Sequence, residues 1–209
     1  MTTASRPYDA VKRGLDVAGA LVLLLLLAPL LAVTAIAVLA ALGRPVLFVQ
    51  TRTGRDARTF ALLKFRSMTT QPLGAHLDDA ARLTGFGRIL RATSLDELPS
   101  LVNVLRGDMS FVGPRPLLPE YLDRYTAREA RRHEVRPGIT GLAQVSGRNH
   151  LDWPQRLSYD VDYVDSRSFT RDVRILVSTV GVVLRREGVS EVGSVTMSPL
   201  PSTRETERP

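Results

Sequence analysis

The longest feature in the pattern of apolar and polar positions is a run from Val17 to Gly43, 27 residues without a charged side chain. That exceeds the 18 or so residues that mark a membrane helix, and one straight helix of this length would reach about 40 Å. The run is too long for the apolar core of a secretory signal peptide, although Lys12-Arg13 ahead of it and Ala35-Ile36-Ala37 within it imitate one. Pro29 stands near its middle, where it removes a backbone hydrogen bond and crowds the preceding turn, so a kink is predicted there. Each half then covers little more than one leaflet. Arg6, Lys12 and Arg13 precede the run, and Arg44, Arg52, Arg55 and Arg58 follow it. Both flanks are basic, which places both on the cytoplasmic side. The pattern leaves two arrangements open, a straight span and a kinked helix that enters and leaves on one side.

Beyond Arg44-Pro45 the pattern is that of a folded domain. Val46–Gln50 and Thr59–Phe65 are short strand-like runs around Thr53-Gly54-Arg55-Asp56, which predicts a hairpin. Leu77–Arg91 reads as a helix weakened by Gly85 and Gly87. Leu95–Leu105 reads as one helix with Leu95, Leu98, Leu101 and Leu105 on one face, ended by Gly107. Ala127–Val135 is a short basic helix, and Arg136-Pro137-Gly138 suits a type II turn. Pro154–Val164 and Arg171–Arg186 are further helices, the second with Val173, Leu176, Val177, Val180 and Leu184 along one side. The expected organisation is a lead-in and membrane segment over residues 1–44, a catalytic domain over 45–197 and a disordered tail over 198–209.

Composition narrows the chemistry. No cysteine is present among the 209 residues, so disulfides, thiolate nucleophiles and cysteine-held zinc are excluded. His76, His133 and His150 show no ligand spacing, which leaves a hard cation held by carboxylates. The net charge is +7, which points to an anionic partner: nucleic acid, a phosphate-rich small molecule or an anionic membrane. Nucleic acid is disfavoured because no basic run carries interleaved aromatics. The first 75 positions hold nine basic and three acidic residues, so the excess lies beside the membrane segment, where anionic headgroups attract it. Of the 28 basic residues only Lys12 and Lys64 are lysine.

Four clusters carry candidate chemistry. In Thr93-Ser94-Leu95-Asp96-Glu97-Leu98-Pro99, Ser94 and Glu97 have the spacing of a capping box. Two adjacent carboxylates at a helix start also suit a nucleophile beside a metal ligand. In Arg106-Gly107-Asp108-Met109-Ser110-Phe111-Val112-Gly113-Pro114-Arg115-Pro116, an arginine fixed between prolines offers a stiff fork for phosphate, or is simply a surface arginine in a proline-rich loop. The glycines of Arg136-Pro137-Gly138-Ile139-Thr140-Gly141 and Gly147-Arg148-Asn149 permit close backbone approach to a ligand, or form ordinary turns. Lys64-Phe65-Arg66-Ser67-Met68 ends a strand with two cations. Asp160-Val161-Asp162 imitates the Asp-x-Asp signature of metal-dependent glycosyltransferases, but on a helix those side chains point about 200° apart.

These motifs, with the lead-in Tyr8-Asp9-Ala10-Val11-Lys12-Arg13-Gly14-Leu15-Asp16 and with Asn103-Val104-Leu105-Arg106-Gly107-Asp108-Met109-Ser110, closely resemble the bacterial sugar transferases, the monotopic phosphoglycosyl transferases. The resemblance runs along nearly the whole chain, and in size the chain is similar to the small members of that family. It implies a mostly helical α+β fold: a re-entrant membrane helix, broken at Pro29, against a small cytoplasmic α/β catalytic domain with a β-hairpin and amphipathic interfacial helices. It implies a location at the cytoplasmic face of the bacterial inner membrane, with Lys12 and Arg13 at lipid headgroups. It implies transfer of a sugar-1-phosphate from a UDP-sugar to polyprenol phosphate with release of UMP, in a ping-pong reaction through a phosphosugar on Asp96. Asp96 and Glu97 would be catalytic and would hold Mg²⁺; Lys64, Arg91, Arg115 and Arg148 would bind substrate. Similarity to the small members favours an N-acetylated amino sugar. Small relatives often place serine before the helix-breaking proline, and here Ala28 stands there, without a hydroxyl for a freed carbonyl.

Overall fold

The computed structural model describes residues 6–70, 79–147, 151–185 and 200–201. The apolar run is broken into α1 (Pro7–Leu26) and α2 (Ala28–Leu42), bent by 64° at Leu27. Pro29 lies in the first turn of α2, where a missing N–H is tolerated, so the helix restarts rather than continuing through it. Among the described residues no single helix is long and apolar enough to cross a membrane. Arg66, a buried residue at the end of the Lys-Phe-Arg motif, closes the far end of α2 by donating to the carbonyls of Leu42, Gly43 (2.6 Å) and Arg44 (3.1 Å). A cation on the last carbonyls of a helix satisfies groups that have no intrahelical donor.

The hairpin forms as the sequence indicates. Strands β1 (Leu47–Thr53) and β2 (Thr59–Phe65) pair antiparallel, with Phe48 opposite Lys64 and Thr53 opposite Thr59. The predicted helix at 77–91 is two pieces where it is described, α3 (Asp79–Arg82) and α4 (Gly85–Ala92). Thr84 separates them by accepting a hydrogen bond from Gly87 N at 3.1 Å and so capping α4; Leu77 lies outside the described residues.

The expected single helix from Leu95 to Leu105 is corrected. Leu95–Ser100 is a 3-10 segment, and α5 spans only Leu101–Arg106. Pro99 has no N–H for the carbonyl of Leu95, and its ring would clash with that carbonyl in an α-helix, so the chain tightens to the 3-10 form. The expected capping box at Ser94 is absent as well. Ser94 is left-handed (φ 55°) and its side chain caps nothing. The capping box instead lies at Thr126 and Glu129, with Glu129 N donating to Thr126 Oγ1 (3.3 Å) and Thr126 N to Glu129 Oε2 (2.9 Å). Gly107 does end α5, with φ 97°, a conformation costly for residues with a Cβ.

A second sheet was not anticipated. Strand β3 (Ser110–Val112) pairs in parallel with β4 (Gly138–Thr140), so Gly138 opens a strand rather than completing a type II turn. A Cβ on Gly138 would lie 2.1 Å from Gly113 N, and one on Gly113 would lie 2.3 Å from Arg136 O. These glycines let two backbone segments touch each other. Between the strands lie a 3-10 turn (Pro119–Arg124), α6 (Ala127–Ala130) and a further 3-10 turn (Arg131–Glu134), shorter than the helix expected to reach Val135. Helices α7 (Leu142–Ser146), α8 (Trp153–Ser166) and α9 (Phe169–Arg185) complete the order.

Both arms of the bent pair are tied to the domain. Ala20 of α1 packs with Leu62, Val104 and Met109, and Val38 of α2 packs with Phe65 and Leu90. Asp16 accepts from Phe111 N at 3.1 Å. Leu200, expected in a disordered tail, is buried against Leu117, Tyr121 and Leu157, and its carbonyl accepts from Arg124.

Candidate active site

The 3-10 segment lays Asp96 and Glu97 against the end of β2. Asn103, fully buried on α5, fixes this register. Its Oδ1 accepts from Leu63 N (3.0 Å) and its Nδ2 donates to Ala61 O (2.8 Å), so one side chain replaces a neighbouring strand along the outer edge of β2. Ser100 Oγ donates to Glu97 O at 2.6 Å and steadies the segment from within. The left-handed backbone of Ser94, disfavoured for a residue with a Cβ, sets the direction of entry from α4.

Four of the predicted residues converge on Asp96. Lys64 Nζ donates to Glu97 Oε1 at 2.6 Å, and Arg115 Nη2 lies 3.6 Å from the same oxygen. Arg91 donates through Nε to Ser67 Oγ at 2.9 Å, and its charge acts on Asp96. Asp96 itself is 8% exposed. Burial and the adjacent Glu97 push its carboxyl up to about 6, against the opposing pull of Lys64, Arg91 and Arg115. Three cations around two carboxylates leave a net positive cluster suited to an anionic ligand. Arg148 lies outside the described residues.

The proline-fixed Arg115 has a support that the sequence did not disclose. Its carbonyl accepts from Arg132 Nη2 at 2.6 Å, and Arg132 is itself held by Asp160 Oδ2 at 2.7 and 3.0 Å. Both side chains of that ion pair are 2% exposed. Asp160 is therefore a buried structural partner, while Asp162 on the same helix faces outward, and the Asp-x-Asp likeness does not form a site. Among the described residues no group of three or more His, Asp or Glu side chains is placed to hold a metal by itself.

The two lead-in cations are engaged within the protein. Lys12 Nζ donates to Asp172 Oδ2 at 2.5 Å, and Arg13 donates to the carbonyls of Val104 (2.6 Å) and Leu105 (3.0 Å), near the end of α5. Arg136, from the Arg-Pro-Gly cluster, likewise holds the carbonyl of Gly107 at 2.8 Å. Sequence reasoning missed Arg66, Asn103 and the Arg132–Asp160 pair. Asn103 lies off the Leu95–Leu98–Leu101–Leu105 face of the expected helix, so the helical pattern held no signal for it.

A bent apolar helix pair, a hairpin cation and adjacent carboxylates on a proline-broken segment form an arrangement suited to handling an anion. The sequence pattern of the bacterial sugar transferases matches residues 7–186, and the chain belongs to that family. It is 47% identical over 188 residues to an uncharacterized sugar transferase, EpsL, of Bacillus subtilis (strain 168), covering 89% of this chain and 93% of that protein. It is 45% identical over 188 residues to a UDP-glucose:undecaprenyl-phosphate glucose-1-phosphate transferase of Caulobacter vibrioides, covering 84% and 70%. It is 37% identical over 204 residues to an undecaprenyl-phosphate galactose phosphotransferase of Salmonella typhimurium, covering 88% of this chain and 43% of that longer protein.

Proposed function

We propose that this protein transfers a sugar-1-phosphate from a UDP-sugar to polyprenol phosphate and releases UMP. The observation that carries this reading is the burial of the Asp96 carboxyl beside Glu97 within reach of Lys64, Arg91 and Arg115. In the first step an Asp96 oxygen attacks the β-phosphorus of the donor. The new bond is Asp96 O–P, the bond broken joins that phosphorus to the bridging oxygen, and UMP departs with the electron pair. In the second step a phosphate oxygen of the polyprenol phosphate attacks the same phosphorus and releases the carboxylate. Lys64 and Arg115 offset charge on the phosphoryl oxygens, and Arg91 does so from the α4 side. Burial keeps water from the acyl phosphate between the two steps.

Asp96 and Glu97 are the residues that would hold Mg²⁺. Two adjacent oxygen donors match the preference of Mg²⁺ for one or two carboxylates with water and substrate phosphate completing the sphere. The raised Asp96 carboxyl marks a place where a cation is favourable. When bound, the ion supplies further neutralisation of the diphosphate. The relatives above are named for glucose and galactose transfer, which lends no support to an N-acetylated amino sugar. The same reading places the bent pair in one leaflet on the cytoplasmic side of the inner membrane.

The test is nucleotide release by the purified protein in nanodiscs, with Mg²⁺, a panel of UDP-sugars and undecaprenyl phosphate. UMP release that Asp96→Asn abolishes supports the mechanism. Release of UDP, or UMP release that survives in Asp96→Asn, overturns it.

A further inference from the structure

The strand that leaves the membrane helices exposes three consecutive apolar residues: Leu47 at 41%, Phe48 at 44% and Val49 at 56%. Consecutive strand residues point to opposite faces, so the sheet's own packing does not account for all three. Phe48 is the informative one. It lies directly opposite Lys64 in the hairpin register, and directly opposite residues share a face with Cβ atoms about 5 Å apart. Lys64 uses that face to reach Glu97. An exposed aromatic ring therefore stands beside a catalytic-site cation, one strand removed from Asp96 and Glu97. On the membrane side, α2 ends at Leu42 with Leu39 still 42% exposed. Leu62, two residues before Lys64 and on the same face, packs against Ala20 of α1, so the face that carries Phe48 and Lys64 adjoins the first arm of the helix pair.

This juxtaposition fits an amphiphile, with a phosphate at Lys64 and Arg115 and a hydrocarbon chain leading back toward the bilayer. We infer that Phe48 forms the apolar wall against which the first isoprene units of the polyprenyl acceptor lie while its phosphate meets Lys64. The inference rests on the transfer reading above for the identity of the acceptor.

Two measurements test it. Phe48→Ala raises the KM for undecaprenyl phosphate about fivefold, since the tail would otherwise cover the ring's remaining exposed half; Phe48→Leu restores most of it, and the KM for the UDP-sugar stays unchanged. An unchanged acceptor KM overturns the assignment, and so does an equal rise in donor KM, which marks the ring as a base-stacking surface. The second measurement needs no turnover. With Phe48 replaced by p-benzoylphenylalanine, irradiation in phospholipid nanodiscs containing undecaprenyl phosphate as a minor lipid yields an adduct of polyprenyl phosphate mass. Adducts with bulk phospholipid alone overturn it. If the wild-type protein releases no UMP, the transfer reading fails while the adduct still reports on the acceptor wall.

Discussion

Burial and a like charge act on Asp96 in the same direction, and the consequence is measurable in stability as well as in rate. Its carboxyl is pushed up to about 6 in the folded protein, against 3.8 for the free group. The native state then holds a proton over a pH range where the unfolded chain has released it, so stability falls as pH rises from about 4 to 6 and stays lowered above that. Asp96→Asn removes the charge that is penalised. With a chelator present, that variant should be more stable than wild type by roughly 2 kcal/mol at pH 7, with the difference vanishing near pH 4. Thermal unfolding across this range checks it; a variant no more stable at pH 7 would show that the three cations outweigh burial. The Asp-Glu pair was legible in the sequence as a chemical candidate. Its partners Lys64, Arg91 and Arg115 were readable only through the family resemblance. Lys64 is 33 positions away from Glu97, and a pairing over that distance is fixed by β2 packing on the 3-10 segment, which no local pattern records. Ser94 was misread for a local reason: serine three residues before glutamate has capping spacing, but the left-handed backbone aims its side chain elsewhere.

At the scale of elements, the site depends on segments that regular periodicity does not describe. The leucine pattern from Leu95 to Leu105 is truly helical in spacing, and Pro99 overrides it in the first half. The parallel β3–β4 pair has three residues per strand, too few for an alternation to be visible, and its glycines read equally well as turn formers. The Arg132–Asp160 pair joins α8 to the Pro-Arg-Pro loop and so connects a distant helix to Arg115. Removing one member leaves the other charge buried, which costs about 3–5 kcal/mol. Asp160→Asn should therefore lower the melting temperature strongly, whereas Asp162→Asn, on the exposed side, should change stability by less than about 0.5 kcal/mol and leave nucleotide release intact. A well-folded Asp160→Asn protein that has lost activity together with Asp162→Asn would instead restore the Asp-x-Asp reading.

At the scale of the whole molecule, the domain holds both arms of the bent pair on one side. Arg13, Asp16 and Ala20 bind α1 to α5 and β3, while Arg66, Phe65 and Leu90 bind the far end of α2. A straight span would have to tear one of these sets from the domain. Beyond Ala20 and before Val38 the arms carry exposed Val22, Leu25, Leu26, Val33 and Ile36, between 52% and 70% exposed. Thr34 between them is buried and Leu31 and Ala35 pack against the domain, so α2 is tied down along one side and exposes apolar residues on the other. Proline and the doubled basic flank already made a kink readable in the sequence; that both arms return to the same domain was not, because it rests on contacts between residues far apart in the chain. Because the sequence contains no cysteine, single cysteines at exposed Ala10 and Arg58 report on the two flanks without background. With an impermeant maleimide, a re-entrant pair leaves both unlabelled in intact spheroplasts and both labelled after lysis. A straight span labels one of them before lysis. That outcome would place Lys12 and Asp172, which meet at 2.5 Å in the folded protein, on opposite sides of the bilayer, so the labelling pattern and the ion pair stand or fall together.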